Sequence, residues 1–334
     1  MSNETLAQYE SLDLLKSLAN EALRLWDIPR DCIATLINVS ENTTYIVENS
    51  DGFKAVLRVH RENYHSQRAI ESELAWLDAL ADSQAVLTPG YFIGLDGSPV
   101  QQACIAGIAQ PRYLVLFEFV DGDAPSEHDD IVKNYEELGA IAAACHNHAL
   151  SWKKPSSFER FSWDTDSIFG RSPIWGNWRH APGVGPTQVI VLEEVEKKII
   201  SRLISFGREP NRFNLIHADM RLANLLVGES GTRLIDFDDC GFGWFMYDFA
   251  AAVSFIEDDQ RLPSFKASWL KGYQSIRPLN SADIDEMDTF IMLRRMALLA
   301  WIGSHMEAPE PQQLAPGFAD MTAELGNKWL SSLT

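Results

Sequence analysis

Residues 215–239 read Leu215-Ile-His-Ala-Asp-Met-Arg-Leu-Ala-Asn-Leu-Leu-Val-Gly-Glu-Ser-Gly-Thr-Arg-Leu-Ile-Asp-Phe-Asp-Asp239. Residues 225–227 and 233–235 are short apolar runs on either side of Gly228-Glu-Ser-Gly-Thr232, the composition of a hairpin. Setting Val227 opposite Arg233 sets Asn224 opposite Asp236, and directly opposed residues have Cβ atoms roughly 5 Å apart. An amide oxygen and a carboxylate at that separation can share a Mg²⁺ ion, a hard cation that prefers oxygen and keeps sites for water and phosphate. Asp219 stands five residues before Asn224, in a loop after a buried strand at 213–216, with His217 ahead of it. The spacing H-x-D-x-x-x-x-N followed by a metal-binding Asp suits phosphoryl transfer, in which the first Asp orients the attacking hydroxyl and accepts its proton. Asp219, His217 and Asn224 are therefore the catalytic candidates, and Asn224 and Asp236 the metal candidates.

Composition narrows what else the chain can be. Its 334 residues are 46% hydrophobic and 22% charged, enough to bury a sizeable core in one or two units. A net charge of −19 repels a phosphate backbone, so no nucleic-acid partner is expected. The same field suits cationic small molecules. Four cysteines without C-x-x-C spacing read as reduced cytosolic thiols. No run approaches the roughly 18 apolar residues of a membrane span. Residues 1–8 lack the basic start and apolar block of a leader, so a cytoplasmic location is expected.

Outward from the hairpin, the pattern divides. A helix over 14–26 precedes three β-rich segments at 32–39, 43–48 and 54–60, an antiparallel meander with a turn at Asn49-Ser-Asp-Gly52. A helix over 64–82 and a buried strand over 112–120 complete a small α+β unit. Helical patterns then dominate at 135–150, 189–206, 262–273, 282–305 and 318–333. The boundary falls at 119–122. Residues 152–188 hold Trp152, Trp163, Trp175 and Trp178 with weak periodicity, and read either as a functional loop or lid or as an aromatic cover on the helical core.

The 215–239 stretch resembles the phosphotransferase superfamily of aminoglycoside phosphotransferases, choline kinases and type II homoserine kinases, which share the protein-kinase fold. Ile235-Asp-Phe-Asp-Asp-Cys-Gly241 is most similar to the branch of homoserine-kinase-like enzymes, hydroxylysine kinases and bacterial stress-response Ser/Thr kinases. The resemblance implies an α+β bilobal fold. Residues 1–118 would form a nucleotide-binding lobe and residues 119–334 a mainly helical catalytic and substrate lobe. It implies ATP and Mg²⁺ as cofactors, Asp219 as base, Asn224 and Asp236 on the metal, and Asp248 in Tyr247-Asp-Phe-Ala250 bracing the catalytic loop.

It also directs attention to the first unit. Val56-Leu-Arg58 stands where kinases have Ala-x-Lys, so Val56 would face adenine and Arg58 the α and β phosphates, with Lys54 as the competing cation. Arg in place of Lys is a departure, because the two cations are not interchangeable. Glu73 is the candidate partner for Arg58 and Glu71 its rival. Asn38-Val-Ser-Glu-Asn-Thr-Thr-Tyr45 has no glycine where protein kinases use a glycine-rich turn, leaving Ser40, Asn42 and Thr43 as side-chain donors to phosphate. Phe117-Glu-Phe-Val-Asp-Gly122 resembles the inter-lobe hinge, with Glu118 and Val120 bordering adenine.

Around the acceptor, Asp238, Asp239 and Trp244 can hold an ammonium group by charge and cation–π contact, beside Trp175 and Trp178. Arg179 and His180 would suit a carboxylate. The expected activity is an ATP- and Mg²⁺-dependent O-phosphotransferase acting on a small amine-bearing alcohol, hydroxy amino acid or aminoglycoside. The alternatives are a Ser/Thr protein kinase of the stress-response type and a nucleotide-binding pseudo-enzyme.

Overall fold

Alternation along pleated strands builds the first layer and leaves one of its faces for the site. The structure, a computed structural model, describes residues 3–39, 42–125, 131–229 and 231–333. After a helix at Asn3–Ala22, strands Ile33–Val39, Thr43–Glu48 and Lys54–Val59 pair as an antiparallel meander, which Arg112–Glu118 and then Gln101–Ala103 extend. Gln101–Ala103 was not anticipated, being too short to show a period. Ala55, Leu57 and Val59 share one face with Leu114 and Leu116 and pack on Leu18, Ala19 and Ala22. The intervening residues Val56, Val115 and Phe117 take the other face, against Ile70, Leu74 and Leu77 of the helix Gln67–Asp82. That helix begins three residues later than its pattern suggested, where Ser66 accepts the Ala69 amide and caps it.

The rest is mainly helical. Helices Ile131–Ser151, Pro186–Phe206, Leu262–Ile276, Met287–Ser304 and Phe318–Ser332 surround one core. Met287–Ser304 is buried on nearly every side, as an all-round apolar helix must be. The single helix expected over 282–305 is in fact two. Asn280 and Asp283 form a capping box that starts Ser281–Asp285, and Glu286 leaves the helical repeat with its carboxylate bonded to Arg202 at 2.7 Å.

Residues 152–188 are an aromatic cover. Trp163, Trp175 and Trp178 are buried in the core, and Ser162–Trp163 joins Gly241–Trp244 and Phe213–Ile216 in a small sheet. A two-stranded hairpin, Leu225–Gly228 with Gly231–Leu234, stands beside it. Among the described residues no helix is long and apolar enough to cross a membrane.

Candidate active site

The hairpin register differs by one residue from the expected one. Leu226 lies opposite Arg233, Val227 opposite Thr232 and Gly228 opposite Gly231. The ladder thus closes on its two glycines, the shorter loop that favours tight strand pairing. Asn224 therefore meets Ile235, whose amide donates to the Asn224 carbonyl at 2.9 Å. Asp236 is brought to the same cavity by its backbone instead. It leaves the ladder with φ at +62°, in the left-handed region that Asp tolerates better than most residues.

Asp219 is fixed from several sides. Its Oδ2 accepts from Asn224 Nδ2 at 3.0 Å, and Asn224 Nδ2 also donates to the Asp219 carbonyl at 2.7 Å. With its amide nitrogen so engaged, Asn224 keeps Oδ1 as an acceptor, and it lines the same cavity as Asp236. Arg294 Nη2 donates to Asp219 Oδ1 at 2.8 Å and Arg221 Nε lies 3.3 Å away. Burial would raise the Asp219 carboxyl, but Arg221, Arg294 and His217 outweigh it and hold the group below its ordinary value.

Behind the loop, Asp248 is fully buried and accepts the amides of Ala218 at 2.7 Å and His217 at 3.2 Å, while His146 Nε2 bonds its Oδ2 at 2.9 Å. Ala218 has φ at +67°, so these bonds hold a backbone conformation that alanine rarely adopts. His217 Nε2 donates to the Ile235 carbonyl at 3.0 Å and its Nδ1 accepts the Asp219 amide. Its ring is fully buried beneath the loop. His217, expected among the catalytic groups, ties the loop that carries Asp219 to the end of the hairpin.

Across the cleft, Arg58 Nη1 pairs with Glu73 at 2.7 Å, Nη2 with Asp236 at 2.9 Å, and its guanidinium lies over Phe117. Asp238 is 3.5 Å away. Burial disfavours the guanidinium charge, and the three carboxylates more than restore it. Glu73 is fully buried, and burial raises its carboxyl against the pull of Arg58. The rivals lie elsewhere: Lys54 sits over the Phe119 ring, and Glu71 is exposed and bonded to Gln67. Asp236 is half-exposed, yet the crowded walls and the nearby Asp238 and Asp219 carboxylates raise its carboxyl despite Arg58.

Two adjoining cavities meet at Thr44, Arg58 and Asp236. One, of about 180 Å³, is an apolar slot lined by Val56, Leu77, Phe117, Glu118, Val120 and Ile235. The other, of about 250 Å³, is polar and is bordered by Asp219, Asn224, Asp236, Asp239, Arg294 and Trp175. An apolar slot beside a cationic corner is a setting that fits a purine with its phosphates at Arg58. A carboxylate and an amide oxygen in the second chamber fit a hard divalent cation.

The sequence profile of the phosphotransferase enzyme family matches residues 34–287. The chain belongs to that family. Among solved structures, the microcompartment-associated aminopropanol kinase is 42% identical, with a TM-score of 0.87 over 94% of this chain and 97% of that one. Amicoumacin kinase from Bacillus subtilis (strain 168) is 22% identical over 289 residues, 83% of this chain and 82% of that protein. The amicoumacin kinase hAmiN, solved with AMP-PNP, Ca²⁺ and Ami, shares the fold at 19% identity with a TM-score of 0.74 over 97% of this chain and 96% of that one. The kinase-like α+β fold and phosphotransferase class expected from the 215–239 stretch are thereby established.

Several expected acceptor residues of this phosphotransferase lie away from the chamber. The Trp244 indole donates to the Gly207 carbonyl at 2.7 Å and packs on Phe213 and Phe290, because its strand runs away from Asp239. Trp178 is buried with its indole on Glu196, and Arg179 stacks on Trp178 while pairing with Glu193 and Glu196. His180 is exposed. Asp238 borders the chamber, but its carboxylate is drawn toward the sheet: Oδ2 accepts from Asn42 at 2.7 Å, and His60 and His65 lie 3.5 Å away. Asn42 also accepts the Arg61 amide, so both ends of its side chain are engaged within the protein. Thr43 is buried, and Ser40 lies outside the described residues.

Several chamber side chains were missed by sequence reasoning, Leu298 and Glu310 among them. Arg294, Trp301, Phe255 and Arg221 all border the chamber. Arg221 carried a signal, standing two residues after Asp219 in the same loop. Arg294 and Trp301 sit on an all-round apolar helix whose pattern reads as core. The one mark on Arg294 was a charge inside that helix, which burial rarely tolerates without a partner.

Proposed function

We propose that this phosphotransferase moves the γ-phosphoryl group of Mg²⁺-ATP to the hydroxyl of a small amine-bearing alcohol, an aminopropanol or a near relative. The supporting observation is the acceptor chamber itself. At about 250 Å³ it falls below the roughly 300–1,000 Å³ of ordinary ligand pockets, and it combines Asp219 and Asp239 with the faces of Trp175, Trp301 and Phe255. Carboxylates and aromatic faces suit an ammonium group, and the size suits a few heavy atoms. The likeness to an aminopropanol kinase over nearly the whole chain supports the same reading.

In this reading Asp219 orients the acceptor hydroxyl and takes its proton as the new P–O bond forms. Arg58, held by Glu73, grips the α and β phosphates. Adenine lies in the apolar slot against Val56, with the backbone at Glu118 and Val120 as its hydrogen-bonding edge. Asn224 and Asp236 hold Mg²⁺, which when bound neutralises charge on the phosphates. Asp248 and His217 keep the loop in place, and Asp239 attracts the ammonium. We further assign residues 1–118 to the nucleotide-binding lobe and 119–334 to the catalytic lobe, hinged at 119–122.

The test is ADP release from Mg²⁺-ATP with 1-amino-2-propanol, 2-aminopropan-1-ol, ethanolamine, choline, homoserine and propane-1,2-diol as acceptors. At least one small amino alcohol should stimulate turnover well above an Asp219→Asn control. Stimulation by the amine-free diol alone would reject the acceptor class.

A further inference from the structure

The helix Tyr247–Ala252 ends in a turn in which the Ile256 amide donates to the Val253 carbonyl at 3.2 Å. Phe255 occupies the third position of that turn with φ at +71°, in the left-handed region. A turn that needs a positive φ there is ordinarily built with glycine or asparagine, because a Cβ crowds the neighbouring backbone. A bulky aromatic residue in that conformation is an outlier and carries a backbone cost. Full burial of the ring is not what offsets it. Val253 and Ser254 beside it are buried, whereas Phe255 is half-buried at the edge of the core.

The turn is held from both sides. Ser254 Oγ accepts from Arg294 Nε at 3.2 Å and Glu257 Oε2 from Arg295 Nη1 at 2.6 Å, so consecutive arginines of the helix Met287–Ser304 bracket Phe255. Arg295 also donates to Thr322 Oγ1 at 2.9 Å and lies over the Phe318 ring, which ties the same turn to the helix Phe318–Ser332. A strained residue persists where its surroundings over-determine the backbone, and such residues gather at binding sites. The Phe255 side chain borders the acceptor chamber. Its ring meets those of Trp301 and Phe318 at centroid distances of 6.1 and 6.2 Å, and the Arg221 guanidinium, two residues after Asp219, lies 5.8 Å over it. Trp175 and Trp301, the other aromatic walls, are buried members of the core. Phe255 is the wall that can be taken away without hollowing that core.

We propose that Phe255 is a specificity-determining residue that sets the upper length of the acceptor: the pinned left-handed turn holds its ring as an end wall of the 250 Å³ chamber, which admits short amino alcohols and turns longer ones away. The inference rests on the amine-bearing acceptor of the preceding section. It assigns Phe255 no part in the transfer of the phosphoryl group.

The test is steady-state kinetics of wild type and Phe255→Ala with ethanolamine, 3-aminopropan-1-ol, 4-aminobutan-1-ol and 5-aminopentan-1-ol, a series that varies in length alone. In wild type kcat/KM should fall away at the longer members. In Phe255→Ala the kcat/KM ratio of 5-aminopentan-1-ol to 3-aminopropan-1-ol should rise roughly tenfold, the worth of two methylene groups that can now be buried. The change should lie mainly in KM, because the reacting atoms keep their surroundings. Phe255→Tyr keeps the ring and should keep the wild-type profile. Should Phe255→Ala not fold, Phe255→Gly removes the ring at a residue whose backbone suits the left-handed turn, and it should show the same rise. A merely structural Phe255 would lower activity equally at every length, and that outcome overturns the proposal. So does a wild-type enzyme that uses 5-aminopentan-1-ol as readily as 3-aminopropan-1-ol. Wild-type enzyme that turns over no amine-bearing alcohol defeats the acceptor assignment and this inference with it, whereas turnover of the short members with an unchanged length profile in the variants defeats only the role of Phe255.

Discussion

The Arg294–Asp219 pair changes how the simplest mutation of the site behaves. Asp219→Ala removes the carboxylate proposed to orient the acceptor and also strands a guanidinium that is 3% exposed in its side chain. Breaking a buried pair by removing one partner costs about 3 kcal/mol or more. Asp219→Ala should therefore unfold at visibly lower urea than wild type, whereas Asp219→Asn keeps an oxygen for Arg294 but not the charge and should lose less stability than Asp219→Ala. Both should lose about a thousandfold in kcat with nucleotide affinity largely kept; isothermal titration with AMP-PNP separates the two effects. Arg58 presents a second residue-scale case. Its guanidinium reaches Glu73 and Asp236 at once, 2.7 and 2.9 Å away, a span that one ammonium cannot copy. Arg58→Lys should lower kcat/KM for ATP by about tenfold, the worth of one charge-assisted hydrogen bond, and an unchanged value would show that one of those contacts is idle.

Between elements, the tightest packing is the crossing of Ile131–Ser151 with Leu262–Ile276. A Cβ added at Gly272 would fall inside the carbonyl of Glu136, and one at Gly139 inside the carbonyl of Trp269. The obstacle is backbone on both sides, so nothing flexible can give way. Gly272→Ala should cost about 3 kcal/mol, the upper range for overpacking, read as a lower urea midpoint with unchanged slope. A midpoint equal to wild type would mean that the helices can separate freely. The same helix Ile131–Ser151 carries His146, which braces Asp248 beneath the catalytic loop. Loosening this crossing should therefore also reduce kcat.

Over the whole molecule, ties from the sheet side reach the residues just after the hairpin, Asn42 to Asp238, Arg58 to Asp236 and Tyr64 to Asp239, while Arg61 reaches Glu307 beyond the helix Met287–Ser304. Near the last of these, His305 is buried under Trp301, and burial with the nearby Arg61 charge pushes its imidazole down from 6.5 to about 4. The folded state therefore binds the proton less readily than the unfolded chain. Stability from this group is fully present above pH 6.5 and is lost as pH falls toward about 4. The shift corresponds to about 3 kcal/mol. The melting temperature should drop over that interval, and His305→Gln should make the drop shallower. Equal slopes in the two proteins would remove His305 from the account.

Much of this was legible in residue order. The meander showed because alternation in 43–48 and 54–60 follows the two-residue period of a half-buried strand, and local spacing does not depend on what packs against it. Asp219, Asn224 and Asp236 showed because they lie within one short loop-and-hairpin, where chain connectivity keeps them close even though the register was wrong by one residue. Arg58 with Glu73 was harder, resolved only between Glu71 and its neighbour two residues on by which face of the helix meets the sheet. Trp244 and Arg179 misled because nearness in sequence to Asp239 or Trp175 says nothing of the direction a strand or turn takes next. Arg294, Trp301 and Phe255 reach the chamber from segments 30 or more residues beyond the catalytic loop. Their arrival depends on how whole helices dock, a sum of many weak contacts spread over the core, and that sum exists only once the chain has folded.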